Sequence, residues 1–78
     1  MPTAFLFVNV DAGAEKEIVK SLREVPEVKE SYVVYGVYDV VAKIETNTMD
    51  RLKEVITWKV RRLDKIRSTL TTIVSEGR

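Results

Sequence analysis

Cysteine and histidine are both absent from this sequence. Their absence removes a disulfide framework, soft metal ligands, and the usual Ser–His and Cys–His nucleophile–base pairs. Charge of one dominant sign is missing as well. With 13 Lys and Arg against 12 Asp and Glu, the net charge of +1 creates no strong field for nucleic acid, anionic membrane or acidic partners. No apolar run approaches the roughly 20 residues that span a bilayer, and residues 1–3 lead into a strand-like segment without a signal-peptide pattern. The expected setting is cytoplasmic, with no membrane contact, no metal and no cofactor.

What is present is a 78-residue chain that is 45% apolar. That length suits one domain, here 1–78, and a domain so small buries only about 60% of the surface its unfolded chain exposes. With no disulfide or metal to supplement a thin core, association with copies of itself is the expected source of extra burial.

The apolar run at residues 4–10, closed by Asp11-Ala12-Gly13, reads as a buried strand and turn. Over 14–25, Ala14, Ile18, Leu22 and Val25 recur at helical spacing until Pro26 ends the pattern. Residues 28–35 and 38–45 are rich in Val, Tyr and Ile, and Gly36-Val37 between them fits a two-residue hairpin loop. Such a loop sets Glu30 opposite Lys43, an opposite-charge pair that supports the register. Thr46-Asn47-Thr48 is cap-like before a second helical pattern over 49–63, and the β-branched stretch 66–75 reads as a last strand.

Residues 25–31 and 63–69 align weakly with each other, so each half of the chain is a βαβ unit. Two in tandem predict an α+β, ferredoxin-like βαββαβ sandwich: a four-stranded antiparallel sheet in order 4-1-3-2 with two helices on one face. The predicted register sends Val33, Tyr35, Tyr38, Val40, Ala42 and Ile44 to one face of the hairpin and Val28, Tyr32, Val34, Asp39 and Val41 to the other. Both are substantially apolar, and two helices cover only one, so a second copy stacked sheet to sheet is the simplest cover. Trp58 falls off the apolar stripe of the second helix, as a contact between dimers or as a lone surface aromatic.

Three segments carry a family resemblance across nearly the whole chain: Pro26-Glu27-Val28, the turn Tyr35-Gly36-Val37-Tyr38-Asp39 with its Gly-x-Tyr-Asp pattern, and Thr69-Leu70-Thr71 followed by Ile73-Val74. The chain resembles the RAM domain (regulation of amino-acid metabolism), the effector domain of the Lrp/AsnC, or feast/famine, transcription regulators. The resemblance implies a homo-oligomer that dimerises through the sheet, gathers into rings of about four or five dimers and binds free amino acids between them. Full-length members carry an N-terminal helix-turn-helix, and this chain, which begins at the first strand, is similar to the stand-alone form. It is expected to sense an amino acid, or to join full-length Lrp/AsnC-type regulators, without direct DNA binding.

A zwitterionic effector needs an acceptor for its ammonium and donors for its carboxylate. Asp39 is the candidate acceptor, beside Gly36, whose backbone a ligand can approach closely. Val37 and Tyr38 complete that turn, with Tyr38 packing to locate Asp39. Thr69 and Thr71 offer hydroxyls. By the family pattern Leu6 and Val8 line the same pocket, although Phe5 and Phe7 leave the facing of that strand open. Lys53 is a further candidate, for the ligand carboxylate or simply a solvated face. The competing readings stay ordinary: Asp39 bonding local backbone in a turn, and threonines chosen for β propensity.

Among other functions, an acylphosphatase-like enzyme needs an Arg in the loop after strand 1, where this chain has Asp11-Ala12-Gly13-Ala14. An RRM-like RNA binder needs aromatics and cations on the central strands, where Asp39 opposes phosphate. The basic residues Lys59, Arg61, Arg62, Lys65 and Arg67 fit cations at a helix C-terminus. A ligand-free oligomerisation adaptor for full-length regulators is the main alternative to a sensor.

Overall fold

The computed structural model describes residues 2–75, so the one-domain reading of 1–78 reaches, at Met1 and 76–78, outside the described residues. The elements follow the expected order: β1 (Thr3–Val10), α1 (Glu15–Arg23), β2 (Val28–Val33), β3 (Val40–Glu45), α2 (Met49–Glu54) continuing as a π-helical segment (Val55–Val60), and β4 (Ile66–Ile73). The strands form one antiparallel sheet in the order β2-β3-β1-β4, the ferredoxin-like arrangement.

Alternation along β1 and β3 turns Ala4, Leu6, Val8, Val10, Val40, Ala42 and Ile44 into the core, where they meet Ile18, Val19 and Leu22 of α1 and Leu52, Val55, Ile56 and Val60 of the second helical stretch. Each large aliphatic side chain buried this way contributes about 1.5–3 kcal/mol. In α1 the acidic Glu15 and Glu17 occupy the first turn and Lys20 and Arg23 the last, matching the helix dipole. The start of α2 is fixed by Thr48, whose hydroxyl accepts the Arg51 N–H at 3.1 Å.

The second helix is not uniformly α-helical, as its spacing suggested. The Arg61 N–H donates to the Ile56 carbonyl, five residues back, at 3.1 Å. This wider turn lets Val55 and Val60, also five apart, both point fully into the core. Trp58 is left outside, 60% exposed as its off-stripe position implied, with the Arg62 guanidinium 5.2 Å from its ring centre.

Glu27, in the turn before β2, ties this stretch to the sheet. It accepts from Arg51 Nη2 at 2.7 Å, Arg51 Nε at 3.2 Å and Lys59 Nζ at 3.3 Å. The Arg51 guanidinium holds its carboxyl below the ordinary value of 4.5, against the opposing effect of burial.

The hairpin register is as expected: Glu30 faces Lys43 and their charged groups lie 3.8 Å apart. Its tip is different. The strands stop at Val33 and Val40, and residues 34–39 form an open connection in place of the two-residue loop. Tyr35 and Val37 are exposed beyond the end of the sheet. Tyr38 turns back onto Phe7, their ring centres 5.6 Å apart. Val28 also departs from the expected face. A bulge between Val28 and Glu30 pairs Val28 with Ile44 and moves it to the helix-covered side, where it is 9% exposed.

Candidate functional site

Asp39 sits at the end of β3 and is tied down three ways. Its N–H donates to the Val8 carbonyl at 3.0 Å, its carbonyl accepts the Val34 N–H at 2.9 Å, and its Oδ2 accepts the Val10 N–H at 3.0 Å. The carboxylate thus satisfies a backbone donor of β1 just past the last β1–β3 pair, Val8 with Val40. Oδ1 has no hydrogen bond among the described residues, so half of the carboxylate remains available.

Two clefts meet at Asp39. One, of about 420 Å³, is lined by Asn9, Val10, Asp39, Arg67 and Ser68. The other, of about 380 Å³, is lined by Glu15, Lys16, Val33, Val34, Tyr35 and Asp39. In the first, Asn9 Nδ2 donates to Ser68 Oγ at 3.2 Å, while Arg67 has no ion pair among the described residues. The sequence reading missed Arg67 here because it grouped that residue with the end of the second helix. The irregular β1–β4 register between Asn9 and Val10 carries it to the cleft.

The other candidate residues lie in several places. Gly36, at φ +152°, and Val37 lie in the exposed connection, and a Cβ built on Gly36 meets nothing within 4 Å, so the approach to its backbone is open. Tyr38 is half-buried against Phe7, in the packing role expected of it. Thr69 and Thr71 pair with Val8 and Leu6 and therefore face the helix side, on the outer strand of the sheet. Thr71 Oγ1 is buried without a partner among the described residues. Lys53 is exposed on α2.

Leu6 and Val8 correct the expected pocket lining. Both side chains are 0% exposed in the core beneath the helices, so the residues that β1 presents on the open face are Phe5, Phe7 and Asn9. Within one chain the candidate donors are also not gathered around Asp39: Tyr38 joins the open face, and the two threonines belong to the opposite one.

That open face carries a continuous apolar row. Tyr32 pairs with Val41, Val41 with Phe7 and Phe7 with Leu70, across all four strands, and Tyr32 and Leu70 are about half exposed. Beside it runs a row of Glu30, Lys43, Phe5 and Thr72. The basic residues near the second helix do not form one patch. Lys65 pairs with Glu17 at 2.8 Å, Lys59 with Glu27, and Arg62 lies over Trp58.

The model of the Lrp/AsnC ligand binding domain matches residues 3–77. Over 71 residues the chain is 34% identical to the HTH-type transcriptional regulator FL11 of Pyrococcus furiosus, covering 91% of this chain and 46% of that regulator. The chain spans about half the length of the curated regulators it matches at greatest coverage. Among solved structures, FFRP-DM1 superposes with a TM-score of 0.90 at 46% identity, covering 95% of this chain and 99% of that one. AsnC of E. coli superposes with a TM-score of 0.90 at 27% identity, covering 97% of this chain and 52% of that one.

Proposed function

Because the chain belongs to the Lrp/AsnC ligand-binding-domain family of transcription regulators, in which it is a regulatory domain and not an enzyme, we propose that it is an amino-acid-sensing oligomer. Two copies stack through their open sheet faces, these dimers assemble further into a ring of four or five, and an amino acid sits between subunits. Asp39 Oδ1 of one copy accepts the effector's ammonium beside the open backbone of Gly36 and Val37. Thr69 and Thr71 of another copy offer hydroxyls to its carboxylate. Trp58 lies at a contact between dimers. The response passes to transcription or metabolism through partners in the cytoplasm, including full-length Lrp/AsnC-type regulators, with no DNA contact of its own.

The observation that carries this reading is the apolar row from Tyr32 to Leu70, which no element of the described chain covers. A second reading, the adaptor that needs no ligand, draws support from the Val10 N–H on Asp39 Oδ2, which gives that carboxylate a structural task by itself.

A thermal-shift screen against the twenty amino acids separates the two. A ligand that binds only the folded state at about 100 times its Kd adds roughly 2.7 kcal/mol, a shift of many degrees for a small domain. Asp39→Asn keeps an oxygen for the Val10 N–H but loses the charge. It is expected to fold like the parent and give no shift. Silence of the wild-type chain toward all twenty favours the adaptor, and a shift that survives in Asp39→Asn removes Asp39 from the site.

A further inference from the structure

Between α1 and the outer edge of β2 lies a groove of about 450 Å³ that the amino-acid reading does not use. Three cations on one side of α1 line it: Lys16, Lys20 and Arg23. They recur at intervals of four and three residues, spanning about 10 Å along one helix face. No carboxylate lines this groove. Neither lysine has an ion pair among the described residues, and the one polar contact of Arg23, Nη2 to the Ser31 carbonyl, is long at 3.4 Å. Its floor is apolar, formed by Val19 and Val33.

The second observation is independent of the cations. Ser31 lines the same groove and is only 3% exposed, yet its hydroxyl has no hydrogen-bond partner among the described residues. An unpaired buried hydroxyl is disfavoured unless something else uses it, and serine can rotate its O–H toward an anion. Of the nearby carboxylates, Asp39 lies in the adjoining cleft, with Oδ2 on the Val10 N–H, and two others are engaged elsewhere. Glu30, in the adjoining cavity with Lys29, meets Lys43 and the Tyr32 hydroxyl, and Glu15 accepts the Gly13 N–H.

We propose that this groove is a second effector site for a compact polyanion, a diphosphate either inorganic or carried on a nucleoside, with Lys16, Lys20 and Arg23 on its oxygens and Ser31 Oγ–H donating to one of them. A diphosphate presents more charge and more oxygens than a single phosphate, so it engages more of the three cations at once. The apolar floor offers a surface to a nucleoside. The groove adjoins the Asp39 cleft and shares Lys16 and Val33 with it, but the polyanion site does not depend on the amino-acid reading.

Titration of the ¹⁵N,¹³C-labelled full chain with pyrophosphate, ADP, orthophosphate and NaCl at matched ionic strength tests the site, read as amide and methyl shifts. Pyrophosphate is expected to shift amides of α1 and β2 saturably, while NaCl leaves them in place and orthophosphate acts far more weakly. Pyrophosphate binding is expected to weaken about ten-fold or more in Lys16→Gln/Lys20→Gln and by several-fold in Ser31→Ala, both of which alter groups with no hydrogen bond or ion pair among the described residues. If ADP binds more tightly than pyrophosphate and also shifts the Val19 and Val33 methyls, the nucleoside is part of the ligand; equal affinity assigns recognition to the phosphates alone. Shifts that NaCl reproduces, shifts outside α1 and β2, or unchanged affinity in either variant overturn the site.

Discussion

Asp39 has a structural task and a proposed ligand task on different oxygens of one carboxylate. Removing the whole side chain in Asp39→Ala strands the Val10 N–H and is expected to lower stability by about 1–3 kcal/mol, checked by urea denaturation. Asp39→Asn is expected to lie close to the parent in the same measurement. Glu27 makes a second prediction at this scale. Its carboxyl is held below 4.5 in the folded chain, first by the Arg51 hydrogen bonds, so its ionised form stabilises the fold above that value. The contribution is lost as pH falls through the lowered folded value. Glu27→Gln is therefore expected to melt a few degrees below the parent at pH 7, with the gap closing as pH falls through the lowered folded value. A gap that is constant with pH contradicts the ion-pair account.

Among the elements, those whose shape depends on local pattern were legible before the structure. The four strands, both helices and the sheet order followed from apolar period, from Pro26, and from the Glu30–Lys43 pair. Three features were not legible, and each depends on a tertiary neighbour. The hairpin tip opens because Asp39 is drawn to β1 and Tyr38 to Phe7. Val28 changes face through one bulge, which no period of two can reveal. The π turn satisfies both Val55 and Val60, while the sequence spacing alone fits an α-helix. For the site, the Gly36–Asp39 turn was visible as a motif. The burial of Leu6 and Val8 was hidden because β1 is apolar on both sides, Phe5 and Phe7 against Leu6 and Val8. At this scale Thr48→Ala, which removes the α2 cap, is expected to cost about 1 kcal/mol in denaturant unfolding. Ala at Leu52, 0% exposed one turn later, is expected to cost about 2–5 kcal/mol.

At the scale of the whole molecule, the helices cover one side of a sheet whose two sides are both apolar, and the Tyr32–Val41–Phe7–Leu70 row is left to a neighbour. A charge in that row is buried on association but solvated in the free chain, where Leu70 is already 48% exposed. Leu70→Asp is therefore expected to weaken self-association by about two orders of magnitude while leaving the melting of the dissociated chain nearly unchanged. Sedimentation equilibrium of the wild-type chain at micromolar concentration is the most direct test of self-cover. The expected result is a mass of at least twice that of one chain, falling to one chain mass in Leu70→Asp. A soluble wild-type species of one chain mass would contradict it, and the proposed amino-acid site between subunits would fall with it.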